Sequence, residues 1–186
     1  MFIVDFVATE RDEPVVFVVD SGCRQGEEAC KLAASHNSSS YNSSNNTRGS
    51  IQGLTVSTLI NTLIKEQRLV VSEVDALPYI DILQIDSEGS DALIIRGAKG
   101  LLAQQRIRLL RFEYHEVPPW NTLLLKDTIA DLHAMQYACY FEGQGRLWPI
   151  SGTCWNDRYE FHQWSNVACF AVRDSWLQAM ASFVVT

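Results

Sequence analysis

Residues 79–102 read YIDILQIDSEGSDALIIRGAKGLL. The beginning of this stretch is mostly apolar and predicts a buried strand, whereas its end predicts an amphipathic helix. An acidic turn lies between them and contains Asp86, Ser87, Glu88 and Gly89. Ligands of open α/β sheets bind outside the carboxyl ends of the strands. We therefore expect any chemistry of this protein to occur at this turn.

A second strand is predicted at residues 107–114, which read IRLLRFEY. This strand carries Glu113 near its end, and His115 follows directly. The order strand, helix, strand implies a right-handed crossover between parallel neighbours. Parallel neighbours end at the same edge of a sheet, so we expect Asp86, Glu88, Glu113 and His115 to lie close together.

Three interpretations of this cluster stay open from the residues alone. A histidine that titrates near neutral pH, beside carboxylates, suits general-base catalysis or substrate orientation. The same oxygens and imidazole could instead hold Mg²⁺ or another hard cation. The third interpretation is structural, with carboxylates that only stabilise a helix N-terminus or are solvated at a strand end. Ser87 and Ser90 have no G-x-S-x-G context, so we do not expect a serine nucleophile.

The other elements follow from apolar periodicity and turn residues. We predict a hairpin of strands at 2–7 and 14–19, an extended piece followed by a helix within 54–71, and a helix capped by Asn121 or Thr122 with Leu125, Ile129 and Leu132 on one face. Next come a hairpin of strands at 137–141 and 146–150, a strand at 167–172 and a helix at 174–180. The Ser/Asn-rich run at 35–50 is a predicted disordered insertion.

Length and charge narrow the functional classes. A chain of 186 residues can bury one core and is short for two domains, so we expect a single domain over residues 1–186. The net charge of −7 and the pI near 5.0 argue against nucleic acid as a partner. There is no run of apolar residues long enough for a membrane span, and the start lacks the basic region of a signal peptide. These features predict a soluble, cytoplasmic protein.

Several polar and aromatic residues have two interpretations each. The five cysteines show no C-x-x-C pair, and we expect reduced or buried thiols rather than disulfides or a metal site. The sequons at Asn37, Asn42 and Asn45 are explained by the composition of their Ser/Asn-rich run, although glycosylation would fit a secreted protein. One group of aromatic residues could line a substrate mouth, but core and rim packing is the commoner role. This group consists of Trp148, Trp155, Tyr159, Phe161, His162 and Trp164.

The central motif resembles the signature of FkbM-type S-adenosylmethionine-dependent methyltransferases. In that family a strand ends in I-D-x-E-G and a helix follows that ends near G-A, as in residues 81–102 here. The similarity extends upstream to residues 56–59 and downstream to the predicted strand in WSNVACFAV, so that it covers residues 2–173.

This resemblance implies a class I, Rossmann-like methyltransferase fold, with helices on both faces of the sheet. It implies that Asp86, His115 and Glu113 are catalytic and that Asp86 and Glu88 bind the cofactor, S-adenosylmethionine. The expected reaction is O-methylation of a small-molecule, sugar or lipid hydroxyl, with Asp86 or His115 as base or orienting group and Glu88 as a positioning group.

The family's first strand and glycine-rich cofactor turn have no counterpart here, because no G-x-G-like loop is followed by a helix. We therefore expect a chain that begins late, lacks the first βαβ unit, binds the cofactor poorly and exposes one edge of its sheet. An exposed edge favours self-association or another partner. The alternatives to an enzyme of this family are a non-catalytic remnant or interaction module, and a metal-dependent enzyme that uses the same carboxylates.

Overall fold

The structure is a computed structural model that describes residues 7–8, 10–12, 14–19, 47–66, 79–87 and 89–185. Two sheets and five α-helices are present in these residues. The strands are β1 (Val7–Ala8), β2 (Pro14–Val19), β3 (Thr47–Leu54), β4 (Ile80–Gln84), β5 (Ile107–Tyr114), β6 (Tyr137–Gly143), β7 (Arg146–Pro149) and β8 (Ser165–Ala171). The helices are α1 (Val56–Lys65), α2 (Asp91–Gly97), α3 (Lys99–Ala103), α4 (Leu125–Ala134) and α5 (Ser175–Ala179).

The larger sheet has five strands in the order β4-β5-β8-β6-β7. Strand β4 is parallel to β5, whereas β8 is antiparallel to both β5 and β6. The parallel pair confirms the strand, helix, strand crossover that the sequence predicts. In the described residues β4 forms one edge of this sheet, and the side chain of its central residue, Ile82, is 52% exposed.

One face of this sheet carries the main core. Alternate residues of β5, among them Leu110 and Phe112, pack there against Ile94 and Leu102 from α2 and α3, and against Ile129 from α4. The opposite face has a smaller apolar cluster around Leu109, Tyr140 and Phe170, and Trp176, Leu177 and Met180 from the region of α5 pack against it. Helices therefore contact both faces, as expected, and the mixed α/β arrangement is compatible with a methyltransferase fold.

The first predicted hairpin is wrong. Strand β1 pairs in parallel with Gly53 and Leu54, and β2 pairs antiparallel with residues 47–52, so both strands flank β3 rather than each other. Strand β3 was missed because TRGSIQGL has no apolar alternation, and its pairing depends on backbone hydrogen bonds that sequence patterns do not report. It begins inside the run predicted to be disordered. Residues 2–6 and 35–46, with the three sequons, lie outside the described residues.

Two helix predictions also need correction. The helix expected at the end of residues 79–102 is divided at Ala98 into α2 and α3. Ser90, which precedes α2, makes no side-chain capping bond. Helix α4 begins at Leu125 rather than near Asn121 or Thr122. Its free backbone donors are bound by a distant side chain, because the Glu160 carboxylate accepts from Leu125 N at 3.2 Å and Lys126 N at 2.7 Å. By contrast, the β6–β7 hairpin, β5 and α5 lie where they were predicted.

The expectation of reduced thiols is wrong for two of the cysteines. Cys139 and Cys169 form a disulfide, and their Cα atoms are 4.0 Å apart. They are directly opposite each other in the antiparallel β6–β8 pair, whose register therefore brings the two sulfurs together. Cys154 is free and exposed. In the part of the chain that the structure describes, no helix is long and apolar enough to cross a membrane.

Candidate functional site

The ends of β4 and β5 bring the predicted site residues together. Gln84 is opposite Arg111 in the parallel register, and Ile85 N donates to Arg111 O at 2.8 Å. Asp86 follows on the β4 side and is exposed, whereas Glu113 is partly buried on the β5 side. Burial raises the pKa of Glu113, and the negative charge of Asp86 adds to this effect. Glu88 lies outside the described residues.

Asp91 joins the two strand ends and was missed by the sequence analysis. This residue is fully buried at the start of α2, and its Oδ1 accepts from Glu113 N at 3.2 Å. Its Oδ2 accepts from Ser87 Oγ at 2.9 Å. Burial raises the pKa of Asp91, although these hydrogen bonds oppose the shift. The sequence signal was an acid among apolar helix residues, which needs a partner when it is buried.

Gly89 lets the turn after β4 pack against the loop after β5. Its φ is +107°, a backbone conformation that residues with a Cβ atom rarely adopt. A Cβ added at Gly89 would lie 2.4 Å from Pro118 O and 2.9 Å from Val117 O. The glycine of the I-D-x-E-G motif is thus required by a close backbone contact, and this contact fixes the distance between the two halves of the site.

The ends of β4 and β5 form the rim of the sheet, where His115 is buried and held by two contacts. His115 is only 1% exposed, and its Nδ1 accepts a hydrogen bond from Val117 N at 3.1 Å. The imidazole stacks on the indole of Trp164, with ring centroids 4.5 Å apart and an angle of 23° between the planes. Its Nε2 is buried and has no hydrogen-bond partner among the described residues.

Glu113 also has an unsatisfied buried atom. Its Oε2 has no hydrogen-bond partner in the described part of the chain. Burial is the main cause that raises the pKa of Glu113, while the side chain of Trp164 and a protonated His115 lower it. A buried polar atom without a partner is costly and uncommon in folded proteins. The site therefore presents one unsatisfied histidine nitrogen and one unsatisfied carboxylate oxygen.

The aromatic run divides between core and rim. Trp148, Trp155 and Tyr159 pack against the main core, as the packing interpretation expects. Phe161 and Trp164 are 40% and 59% exposed, respectively. Phe161 contacts Tyr114 and Phe141, whereas Trp164 contacts His115. Of this set, Trp164 is the one whose described contacts reach the predicted site residues.

Glu160 supports the same region from the core side. Its carboxylate accepts from the Tyr114 hydroxyl at 3.0 Å in addition to the two backbone donors of α4. Burial and this carboxylate both raise the pKa of Tyr114, so the hydroxyl stays a donor. Tyr114 also packs edge-on against the buried ring of Trp120, at 5.3 Å between centroids. The end of β5 is therefore anchored on the face opposite Glu113.

A cavity of about 490 Å³ lies away from this rim, between α2, α3, α4 and residues 10–11. Its polar lining mixes both charges, with Arg96 and Lys99 on one side and Asp127 and Asp131 on the other. Asp86, Glu113 and His115 do not line it. We find no group of three or more metal-ligating residues that could hold an ion within the described ranges, and Glu88 is not among these residues.

The rim carries side chains that can attract the positive charge of a cofactor. Carboxylates at Asp86 and Glu113 and the exposed indole of Trp164 are groups that attract a positive charge such as a sulfonium. The cradle that backbone N–H groups of a glycine-rich turn would supply has no counterpart in the sequence. The side chains at the rim therefore fit the charged end of S-adenosylmethionine, and Asp86 and Glu88 are the residues predicted to bind this cofactor.

A mixed α/β sheet with acidic residues at the ends of two parallel strands is compatible with a methyltransferase fold. The model of the Methyltransferase FkbM domain matches residues 7–139, which is more than half of the chain. The protein belongs to this family of methyltransferases, as the resemblance of the central motif predicted. No curated protein and no solved structure matches the chain.

Proposed function

We propose that the protein transfers a methyl group from S-adenosylmethionine to a hydroxyl oxygen of a small-molecule, sugar or lipid acceptor. Membership of the FkbM family supports methyl transfer. The observation that carries the proposal further is the cluster of Asp86, Glu113 and His115 at neighbouring strand ends, with buried polar atoms that lack partners. Groups of this kind are expected where a substrate completes the hydrogen bonding.

The cofactor supplies an electrophilic methyl group on a positively charged sulfur. The protein's own task is then to hold the acceptor hydroxyl in line with this group and to accept its proton. Asp86 is exposed at the rim and can orient the cofactor or substrate, with Glu88 as a positioning group. Glu113 and His115 lie deeper and are the candidates for contact with the hydroxyl group.

A transfer assay with labelled S-adenosylmethionine tests this proposal. The full-length protein, with any residues that its reading frame encodes before Met1, is incubated with sugars, hydroxylated lipids and small alcohols. We expect the label in a base-stable ether, because an O-methyl ether resists the mild base that hydrolyses a methyl ester. The Glu113→Gln variant should lose most of this transfer, and Asp131→Asn, an exposed change on α4, should keep it. Label found only in esters or amines would contradict the proposal.

An interaction module is the second candidate, and the position of β4 favours it. Within the described residues this strand pairs with β5 alone, and it exposes Ile82 at the edge. An unpaired, apolar edge can add a strand from another chain. Size-exclusion chromatography with light scattering tests this: a dimer that the edge variant Ile82→Lys converts to a monomer would support it, and a monomeric wild-type protein would count against self-association.

A metal-dependent reaction remains a weaker proposal, since the described residues bring together no three ligands. Thermal melting with and without Mg²⁺ tests it, because a ligand that binds the native state raises its stability. An unchanged melting temperature at millimolar Mg²⁺ would contradict this alternative.

A further inference from the structure

The hydrogen bond to His115 Nδ1 determines which ring nitrogen carries the proton. Val117 N–H donates to Nδ1, so this nitrogen acts as the acceptor and has no proton. A neutral imidazole then has its proton on Nε2. Nε2–H is thus a donor, and it is the atom of His115 that is buried without a partner in the described structure. Glu113 Oε2, an acceptor when ionised, is unpartnered in the same cluster.

Trp164 acts on both of these side chains. Its ring lies against the imidazole of His115 at 4.5 Å between centroids, nearly parallel to it. Its side chain also lowers the pKa of the Glu113 carboxyl group. Trp164 itself is 59% exposed, while its ring covers the buried imidazole of His115. This large aromatic side chain belongs to neither apolar cluster of the described residues.

We propose that Trp164 is a positioning residue that holds Glu113 and His115 as an acceptor–donor pair for one hydroxyl group. The inference rests on the proposed function and deepens it. A hydroxyl group both donates and accepts, so it can donate to Glu113 and accept from His115 Nε2–H while one lone pair stays free. That lone pair forms the new bond between oxygen and the methyl carbon as the bond between methyl and sulfur breaks. The proton passes to Glu113.

This arrangement assigns different roles to the two residues. Glu113 is the proton acceptor, because its buried Oε2 has no hydrogen-bond partner among the residues that the structure describes. His115 is an orienting donor rather than the base, because its only unprotonated nitrogen already accepts from Val117 N–H. Trp164 acts through both of them, by keeping the imidazole plane fixed and by favouring the ionised form of Glu113.

Nitrogen-15 NMR of the histidine side chains tests the arrangement without cofactor or substrate. The His115→Gln variant identifies the His115 signals. In the wild-type protein we expect the neutral Nε2–H form with an unprotonated Nδ1, and Trp164→Phe should retain it because the ring contact remains. Trp164→Ala should lose it and show averaged signals. An Nδ1–H form in the wild-type protein, or an unchanged spectrum in Trp164→Ala, would overturn the proposal.

The titration of Glu113 gives a second readout. The groups whose charges act on Glu113 are Asp86 and Asp91, which raise its pKa, and His115 when its imidazole is protonated, which lowers it. Trp164→Phe removes the indole N–H, and with it the effect of Trp164 that lowers the pKa of Glu113, so this pKa, measured by carbon-13 NMR, should rise. Trp155→Phe is the matched control, since the Trp155 indole donates to Asp157 at 3.0 Å and does not contact the rim. Equal pKa values of Glu113 in the two variants would contradict the role of Trp164.

Kinetics separate this inference from the proposed function. Because Glu113 must be ionised, kcat should rise with pH through its pKa, and Trp164→Phe should move this rise to higher pH. Loss of the pair in Trp164→Ala should lower kcat roughly tenfold or more, which is part of the roughly 10²- to 10⁴-fold contribution of general-base catalysis. An unchanged pH profile in Trp164→Phe would overturn the positioning role. Absence of any transfer by the wild-type protein would instead refute the proposed function. The arrangement of His115 and Trp164 would still be tested by the NMR spectra.

Discussion

The buried carboxylate of Asp91 accepts a hydrogen bond from the backbone N–H of Glu113 at 3.2 Å. Through its second oxygen the same carboxylate holds Ser87 in the turn after β4. One side chain therefore connects the segment that carries Asp86 with the segment that carries Glu113. The geometry of the candidate site depends on this connection, because Asp86 and Glu113 belong to different strands.

Replacing Asp91 with alanine should destabilise the fold and loosen the site. The change leaves the Glu113 N–H and the Ser87 hydroxyl without their acceptor in a buried place, which costs about 1–3 kcal/mol for each unpaired group. Chemical denaturation measures the loss. Asp131→Ala is the matched control on an exposed position of α4 and should change the free energy of unfolding by less than about 0.5 kcal/mol. Equal effects of the two changes would contradict the linking role of Asp91.

Replacing Gly89 with alanine should destabilise the protein by about 3 kcal/mol or more, since both backbone strain and overlap with Pro118 O oppose it. Gly145→Ala separates the two causes. Gly145 also has a positive φ, of +70°, but a Cβ there meets nothing within 4 Å, so strain alone of about 1–2 kcal/mol is expected. Thermal unfolding of both variants checks the order. A Gly89→Ala protein as stable as Gly145→Ala would show that the close contact is absent.

Replacing Glu160 with alanine should weaken the start of α4 by about 1–2 kcal/mol, the usual effect of losing a helix cap. The carboxylate binds two backbone donors of α4 and the Tyr114 hydroxyl, so a double-mutant cycle with Tyr114→Phe should show coupling. Denaturation of the single and double variants provides the measurement. Glu116→Ala, an exposed change in the same part of the chain as Tyr114, is the control. Strictly additive effects would indicate that Glu160 does not bridge Tyr114 and α4.

Cys139 and Cys169 should be protected from alkylation in the denatured protein until a reductant is added. Reduction, or the double change to alanine, should lower the stability by about 2–4 kcal/mol, because the bond closes a loop between residues that are 30 positions apart. Peptide mapping by mass spectrometry without reductant identifies the linked pair. Alkylation of both cysteines in the unreduced protein would contradict the disulfide. Disulfides are rare in the cytoplasm, so the cytoplasmic location expected from the sequence stays a prediction that this measurement also addresses.

The elements with strong local patterns could be predicted from the sequence. Strand β5 and the β6–β7 hairpin follow from apolar β-branched runs and from the Gln144–Gly145 turn, whose residues both have positive φ. The candidate rim followed from the same logic, since two parallel strands that end in acids must place them side by side.

What the sequence did not reveal depends on partners that are distant in the chain. The cap of α4 comes from Glu160, which lies 35 residues after Leu125, and no local signal connects the two. The disulfide becomes visible only when the register of β6 and β8 is known. Asp91 takes its linking role from the backbone N–H of Glu113, 22 residues further along the chain, and β3 has too polar a sequence to be recognised as the central strand of its sheet.

Calorimetric titration of the full-length protein with S-adenosylmethionine tests the central claim most directly, with the Asp86→Asn and Asp131→Asn variants as the comparison. If the rim at the ends of β4 and β5 is a cofactor site, the wild-type protein and Asp131→Asn should bind with the same affinity. Asp86→Asn should bind more weakly, because it removes a negative charge that would attract the sulfonium. Absence of binding by the wild-type protein, or equal binding by all three proteins, would contradict the claim.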